Sequence, residues 1–297
     1  MRLRPPVLDD APAVLAVLDA RDLADVGAVD FTIEDLRDEW RASEFDLASD
    51  AVVVEDEDRG IVAYAEVQPH GSLAAVPPEQ EGRGIGARLL TWVENRERAI
   101  GRDHRQWVAA SNTRGRDLLR TAGYEQVRSY WRMVRRLDGS ERAGQTPDGY
   151  ELRTLDVARD GAALHALDAA AFAFLPDYRE ESFTAFSEEH LHGENFDPGL
   201  SIVAHRGDHV AGFLTVRRWR DEAVYFVDLL AVHPEDQRRG LGSALLTSAF
   251  VRFAANGVRE AHLQVASDNP RALGLYERAG MSARWRYDVY ERAPMPG

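Results

Sequence analysis

The sequence predicts an α/β fold, a mixed α+β sheet built twice in tandem, and three observations carry that reading. A segment recurs: Val76-Pro-Pro-Glu-Gln-Glu-Gly-Arg-Gly-Ile-Gly-Ala-Arg-Leu-Leu-Thr91 lies over Val232-His-Pro-Glu-Asp-Gln-Arg-Arg-Gly-Leu-Gly-Ser-Ala-Leu-Leu-Thr247 without a gap, at an offset of 156 residues. Ala122-Gly123-Tyr124 then matches Ala279-Gly280-Met281 after a one-residue slip, and Leu3-Arg4 resembles Leu152-Arg153, so the whole unit repeats. Between the copies, Leu137 to Gly149 is rich in Gly, Ser, Pro and charge, the composition of a connector. The expected organisation is an N-terminal domain over 1–137, a linker over 138–149 and a C-terminal domain over 150–297.

The second half gives the element order most clearly. Residues 150–155 read as a strand, 157–174 as an Ala/Leu-rich helix and 181–191 as a further helix. Residues 201–205, 209–217 and 223–232 are strands rich in Val, Leu, Phe and Tyr. Residues 240–256 form an amphipathic helix, with Leu241, Leu245, Ala249 and Phe253 at four-residue spacing. A strand at 261–266 follows, then a helix at 270–278 with proline at its start and Gly280 past its end. Residues 281–290 are expected to close the sheet. Strands with intervening helices make a mixed sheet in each half.

Composition narrows the function. Hydrophobic residues make up 44% and charged residues 29% of the 297, which suits a globular protein. The net charge of −14 repels phosphate backbones, which argues against nucleic acid and mildly favours a cationic small molecule. The chain has no cysteine, so disulfides, thiolate metal sites and a cysteine nucleophile are absent. The N-terminal residues lack the apolar core of a signal peptide, and no apolar stretch is long enough to span a bilayer. The expectation is a cytoplasmic protein with no membrane partner.

Gln237-Arg238-Arg239-Gly240-Leu241-Gly242-Ser243 sits between a strand and a helix. The first turn of a helix carries unpartnered N–H groups and a positive dipole end. Glycines there remove the Cβ atoms that would keep a pyrophosphate away, and arginines match phosphate oxygens. The dinucleotide fingerprint needs a small residue where Leu245 stands, and no Gly-Lys pair exists for a nucleotide-triphosphate loop. A tight turn with no ligand would need the same two glycines.

The next motif adds to the first. Asp268-Asn269-Pro-Arg-Ala272-Leu-Gly-Leu-Tyr276-Glu-Arg-Ala-Gly280-Met281 follows about thirty residues after Gln-x-x-Gly-x-Gly. Together the two resemble the GNAT superfamily of N-acetyltransferases over most of residues 150–292, and the first half is similar more faintly. The resemblance implies two tandem GNAT-like acyl-CoA N-acyltransferase domains and acetyl-CoA as donor. It implies that the backbone of Leu230, Ala231 and Val232 pairs with the pantetheine arm. Gln237 and the amides from Arg238 and Arg239 through Gly240, Leu241 and Gly242 to Ser243 would hold the pyrophosphate. Asn269, with Ala272 in its motif, would touch the pantetheine, and Tyr276 would protonate the leaving thiolate.

Elementary chemistry agrees. Asn269 and Tyr276 are seven residues apart, so Tyr276 points back over the start of its helix. A phenol near pKa 10 can supply a proton to a thiolate near 8.5. A thioester is already activated, so an amine attacks it directly, consistent with the lack of a Gly-x-Ser-x-Gly elbow. Tyr276 could equally be an aromatic that packs its helix onto the sheet. The proton acceptor is less plain. The position at which several family members carry glutamate is Phe226 here, a departure. Asp228, two residues on and on the same strand face, is the catalytic candidate, with a paired structural carboxylate as the other reading. His233 and Glu235 are lesser candidates in the loop.

The first half has the sheet without the chemistry. Glu81 replaces Gln237, Gly82 replaces Arg238 and Leu119 replaces Tyr276, while Asn112 matches Asn269. His70, at the family's base position, lies between Pro69 and Gly71 and reads as a turn residue. Glu81 beside a phosphate costs on the order of 1 kcal/mol. This half is expected to be structural or to shape the acceptor pocket, with weak coenzyme binding left open. Residues 55–58 read as a solvated hairpin turn. His190 and His192 find no third ligand, so no metal is expected. Arg217, Arg218, Trp219 and Arg220 are expected to face solvent rather than the coenzyme's ribose phosphate. The arginines at 128, 132, 135 and 136 share a late strand and could contact phosphate.

The acceptor that follows is a primary amine on a small molecule or peptide. The two-copy arrangement, with Phe196-Asp197-Pro198 before a strand, is similar to the mycothiol synthases. A non-catalytic acyl-CoA-binding module is the alternative from another class.

Overall fold

The structure, a computed structural model, describes residues 1–175, 178–219 and 223–293. The elements of the first half are β1 (Arg2–Arg4), α1 (Ala11–Val26), α2 (Ile33–Arg41), α3 (Leu47–Asp50), β2 (Ala51–Asp56), β3 (Gly60–Gln68), β4 (Gly71–Ala75), α4 (Ile85–Ala99), β5 (His104–Ala109), α5 (Thr113–Thr121) and β6 (Glu125–Arg136). Those of the second are β7 (Glu151–Thr154), α6 (Val157–Phe172), α7 (Phe183–Leu191), β8 (Ile202–Arg206), β9 (His209–Arg218), β10 (Val224–Val232), α8 (Leu241–Ala255), β11 (Glu260–Ala266), α9 (Pro270–Arg278) and β12 (Ser282–Arg292). His70 lies in the turn before β4, and the acidic run from Glu55 ends β2 and turns into β3. No helix among the described residues is long and apolar enough to cross a membrane.

Two compact units take their residues from both halves. The first holds Met1–Trp131, Ala266–Asp268 and the chain from Trp285; the second holds Arg132–Val265 and Asn269–Arg284. The expected cut at 137 and 150 follows the sequence repeat, whereas the units follow packing. In the first unit β1, β2, β3 and β4 are antiparallel neighbours, and β4 meets β5 in parallel. The segment expected to close the sheet of its own half does something else. Its later part pairs antiparallel with β5, from Tyr287 opposite Ala109 to Arg292 opposite His104. The physical reason is that backbone hydrogen bonds carry no sequence address, so an alternating apolar strand fits either sheet. Asp288 on this strand is fully buried, where it accepts from Ser129 Oγ of β6 at 2.8 Å and pairs with Arg286 of its own strand at 2.9 Å.

In the second unit β7, β8, β9 and β10 are antiparallel neighbours, and β10 meets β11 in parallel. α6 and α7 bury Leu164, Leu167 and Phe186 against Val203, Phe213 and Ala231 of the sheet. Gly212 faces the other way, toward Leu241 and Leu245 of α8, as the two-residue strand period requires. The expected linker is docked on this unit: Gly144 donates to Thr247 Oγ1 at 2.8 Å, and buried Glu141 accepts from the amides of Asp138 and Gly139.

Candidate active site

The site begins where two strands part. Among the described residues, β10 and β11 pair only from Val224–Glu260 to Phe226–His262. Beyond that point Leu230, Ala231 and Val232 keep their partners on β9 and leave the edge toward β11 without a strand. Polar backbone groups along such an edge need another partner. A bulge in β10 lies at the same level, because the register with β9 shifts between Val227 and Leu229. The extra residue is Asp228, which lets Asp228 and Leu229 both face α6 and α7.

At the end of β10 the chain turns into α8 through a short 3-10 turn, Pro234–Asp236. Arg238 has φ of 63°, the only non-glycine residue with positive φ among the described residues. Gly240 has φ of 87° and starts α8 with no side-chain cap, so its first N–H groups stay available to an anion. Arg238 and Arg239 are exposed and make no ion pair among the described residues. Gln237 acts as a brace: its amide donates to Val232 O at 3.0 Å and accepts from Arg271 at 2.7 Å.

Asn269 caps α9 by accepting from the Ala272 amide at 3.0 Å, so that amide is engaged within the chain. Tyr276 is half-buried two turns along, and its hydroxyl makes no hydrogen bond among the described residues. Burial alone pushes its phenol up to about 12.

Asp228 has two partners that the sequence did not reveal. His190 Nδ1 is 2.7 Å from one oxygen and Arg217 donates to the other at 2.5 Å. Burial opposes the charge, yet Arg217 and His190 outweigh it and hold the carboxyl at about 2. Burial likewise opposes the imidazolium, and Asp228 overrides it, raising His190 to about 9. The expectation that Arg217 faces solvent is therefore corrected: a buried carboxylate requires a cation, and Arg217, opposite Phe226 on β9, is within reach. The only sequence signal was charge inside the apolar strand at Asp228. Trp219 stacks on Phe226 at 5.3 Å, with Arg132 over both rings, and Arg218 donates to Glu194 O. Arg220 lies outside the described residues. The arginines of β6 serve the fold: Arg128 pairs with Asp268, Arg135 donates to Ala279 O, and Arg136 pairs with Glu260. His192 is held by Ser187, while His233 caps the 3-10 turn that Glu235 enters.

The first unit repeats the frame. Among the described residues β4 and β5 pair only at Ser72–Gln106, Gly84 caps α4 at φ of 76°, and Asn112 caps α5. A cavity of about 260 Å³ lies there, lined by Val76, Gly84, Val108, Asn112 and Leu118 among others. Glu81, expected to oppose a phosphate, is already neutralised by Arg21 at 2.7 Å and Arg114 at 3.2 Å. Arg21 also takes Val76 O at 3.1 Å, the carbonyl equivalent to that of Val232. Leu119, at the place of Tyr276, is buried in the core.

Comparison with known proteins gives one consistent result. The model of the acetyltransferase (GNAT) family matches residues 18–124 and 164–281. A mycothiol acetyltransferase of Actinosynnema mirum is 32% identical over 236 residues, covering 79% of this chain and 75% of that protein. A GCN5-related N-acetyltransferase from Sphaerobacter thermophilus superposes with a TM-score of 0.80 at 27% identity, over 100% of this chain and 96% of that one. A tandem GNAT protein from the clavulanic acid biosynthesis pathway shares the fold, with a TM-score of 0.73 at 16% identity over 100% of this chain and 99% of that one.

Proposed function

Because the chain belongs to the acetyltransferase (GNAT) family, we propose that its second half carries the transfer, from acetyl-CoA to the primary amine of a small molecule, with Tyr276 as the acid. The chain is an acyl-CoA-dependent N-acyltransferase; the residues and the acceptor are the proposal. The observation that carries it is the parting of β10 from β11 beside the uncapped start of α8. An extended pantetheine fits along the open edge at 230–232, and its pyrophosphate fits the amides from Arg238 to Ser243. Asn269 retains its side-chain NH2 for a carbonyl of the same arm.

The chemistry is direct. The amine lone pair attacks the thioester carbonyl carbon, a C–N bond forms, and the C–S bond breaks as the tetrahedral adduct collapses. The acceptor ammonium first gives one proton to water to free that lone pair. Tyr276 gives its proton to the departing sulfur, and the proton the nitrogen sheds as the amide forms returns through water to the phenolate. The same apolar surroundings that keep the phenol protonated raise the proton affinity of the thiolate, so the pair remains matched. Asp228 enters as the carboxylate that fixes His190 and Arg217 beside the bulge, since a group held at about 2 is a weak proton acceptor. The first half is proposed as structural. The net charge of −14 favours a cationic acceptor over nucleic acid in a cytoplasmic setting. The relatives' name adds a mycothiol-type amine to the acceptors worth testing.

The test is acetyl-CoA calorimetry together with amine-dependent release of free coenzyme thiol. Binding with turnover that falls in Tyr276→Phe supports the reading. Binding without turnover on any amine, unchanged in Tyr276→Phe, moves the chain to a non-catalytic binding module.

A further inference from the structure

The internal repeat supplies its own control for the acceptor side. The ion pairs Arg4–Asp10 and Arg153–Asp160, each 2.6 Å, mark equivalent points of α1 and α6. Thr32 and Ser182 cap α2 and α7 through the amides of Asp35 and Ala185. Asp10 to Asp160 and Thr32 to Ser182 share one offset of 150 residues. In that register the core positions agree: Val14 with Leu164, Val17 with Leu167 and Leu36 with Phe186 are all buried. Three positions differ in kind. Leu15, Leu18 and Trp40 pack into the apolar core of the first unit. Their counterparts are His165, Asp168 and His190.

These three gather on one side of the sheet. The His165 ring lies 5.2 Å from Phe186, which lies 5.1 Å from His190, and Asp168 stands one turn along α6 from His165. His165 Nε2 is engaged by Glu181 O at 2.9 Å, and His190 Nδ1 by Asp228. Asp168 is half-buried and makes no hydrogen bond or ion pair among the described residues. The positions of Leu15, Leu18 and Trp40 have thus become His165, Asp168 and His190 in the half that keeps Tyr276, and the Asp168 carboxylate, near the His190 imidazolium that Asp228 already holds, lacks a hydrogen-bonded cationic partner among the described residues. A half-buried carboxylate without one is costly unless a ligand supplies it.

We propose that Asp168 receives the ammonium group of the acceptor, beside His165 and His190 at the half-buried α6–α7 side of the sheet; this rests on the transfer reading above. Asp168 is a binding and positioning residue: its carboxylate accepts from the ammonium N–H groups and holds the nitrogen on the α6–α7 side of the β10 bulge. Burial raises its carboxyl to about 6, with His190 and His165 opposing and Glu181 and Asp228 adding. The charged and titratable groups around it are His165 on α6, His190 on α7, Asp228 on β10, Arg217 on β9, and Glu181 and Tyr178 before α7.

The test titrates tyramine, cysteamine and putrescine into the CoA-loaded full-length protein as wild type, Asp168→Asn and Asp168→Leu, the last installing the first half's residue. The expected result is that wild type binds at least one amine and both variants lose tenfold or more in its affinity, with coenzyme affinity within twofold. Wild-type affinity should also fall as pH drops below about 6, a limb missing from Asp168→Asn. Amine affinity within twofold of wild type in Asp168→Asn, or no amine bound by wild type, overturns the inference. Amine binding that depends on Asp168 without acetyl-CoA consumption sinks the transfer reading and leaves the inference standing. Undiminished turnover in Asp168→Asn does the reverse.

Discussion

The Asp228 carboxylate and the His190 imidazole lie 2.7 Å apart, joining the bulge of β10 to the last turn of α7. The pair is almost fully enclosed, so breaking it leaves a buried charge. Asp228→Asn is expected to cost about 3 kcal/mol of stability. The pH dependence follows from the two shifts. His190 is raised from 6.5 to about 9, so its contribution is full below 6.5 and lost as pH rises through 9. Asp228 is lowered from 3.8 to about 2, so its contribution is full above 3.8 and lost as pH falls through 2. The gap in melting temperature between wild type and His190→Gln should be widest between those limits and shrink from pH 6.5 to 9. A gap independent of pH up to 9 would mean the imidazole is neutral in the pair.

Tyr276→Phe removes one hydroxyl with no partner among the described residues, so folding should be unaffected. Turnover is expected to fall about 10²-fold or more, the scale of positioned proton transfer, with acetyl-CoA affinity unchanged. Because burial holds the phenol near 12, turnover in wild type should show no alkaline decline from this group up to pH 10. Equal loss of coenzyme binding and turnover in the variant would instead assign Tyr276 to packing.

The two glycine turns separate the halves. Gly240 and Gly84 both have positive φ, so glutamate at either costs about 1–3 kcal/mol in backbone strain. Gly240→Glu also places a carboxylate at the proposed pyrophosphate site and is expected to abolish acetyl-CoA binding by calorimetry. Gly84→Glu should lose the same stability and keep that binding. Loss in Gly84→Glu alone would move the working site to the first half.

A buried relay in the first unit gives a stability test far from the chemistry. Trp40 Nε1 donates to the Tyr64 hydroxyl at 2.9 Å, which donates to Glu66 at 2.5 Å. Burial raises Glu66 from 4.5 to about 7, so the folded state favours its neutral form; that preference stabilises fully below 4.5 and is lost as pH rises through 7. Glu66→Gln should therefore stabilise the protein at pH 8, by up to about 3 kcal/mol, and change little at pH 4.5. Thermal melts at the two pH values check it.

The sequence by itself determined the repeat, the element order and the coenzyme turn, because each is written in local chemistry. Glycine at positive φ, an uncapped helix start, asparagine at a cap and a two-residue strand period need no distant partner to be read. Helix α9 and the strands around the site lie where hydrophobic spacing and proline placed them. Tertiary structure alone decided which sheet β12 joins, since strand pairing has no address in the chain. It alone decided that Asp228 is neutralised by His190, 38 residues away, and by Arg217 across a bulge whose extra residue no pattern marks. It also aligned His165, Asp168 and His190 with an apolar trio in the other half. Charges become partners only when the fold brings them within a few ångströms in a dry place, and sequence spacing does not encode that distance.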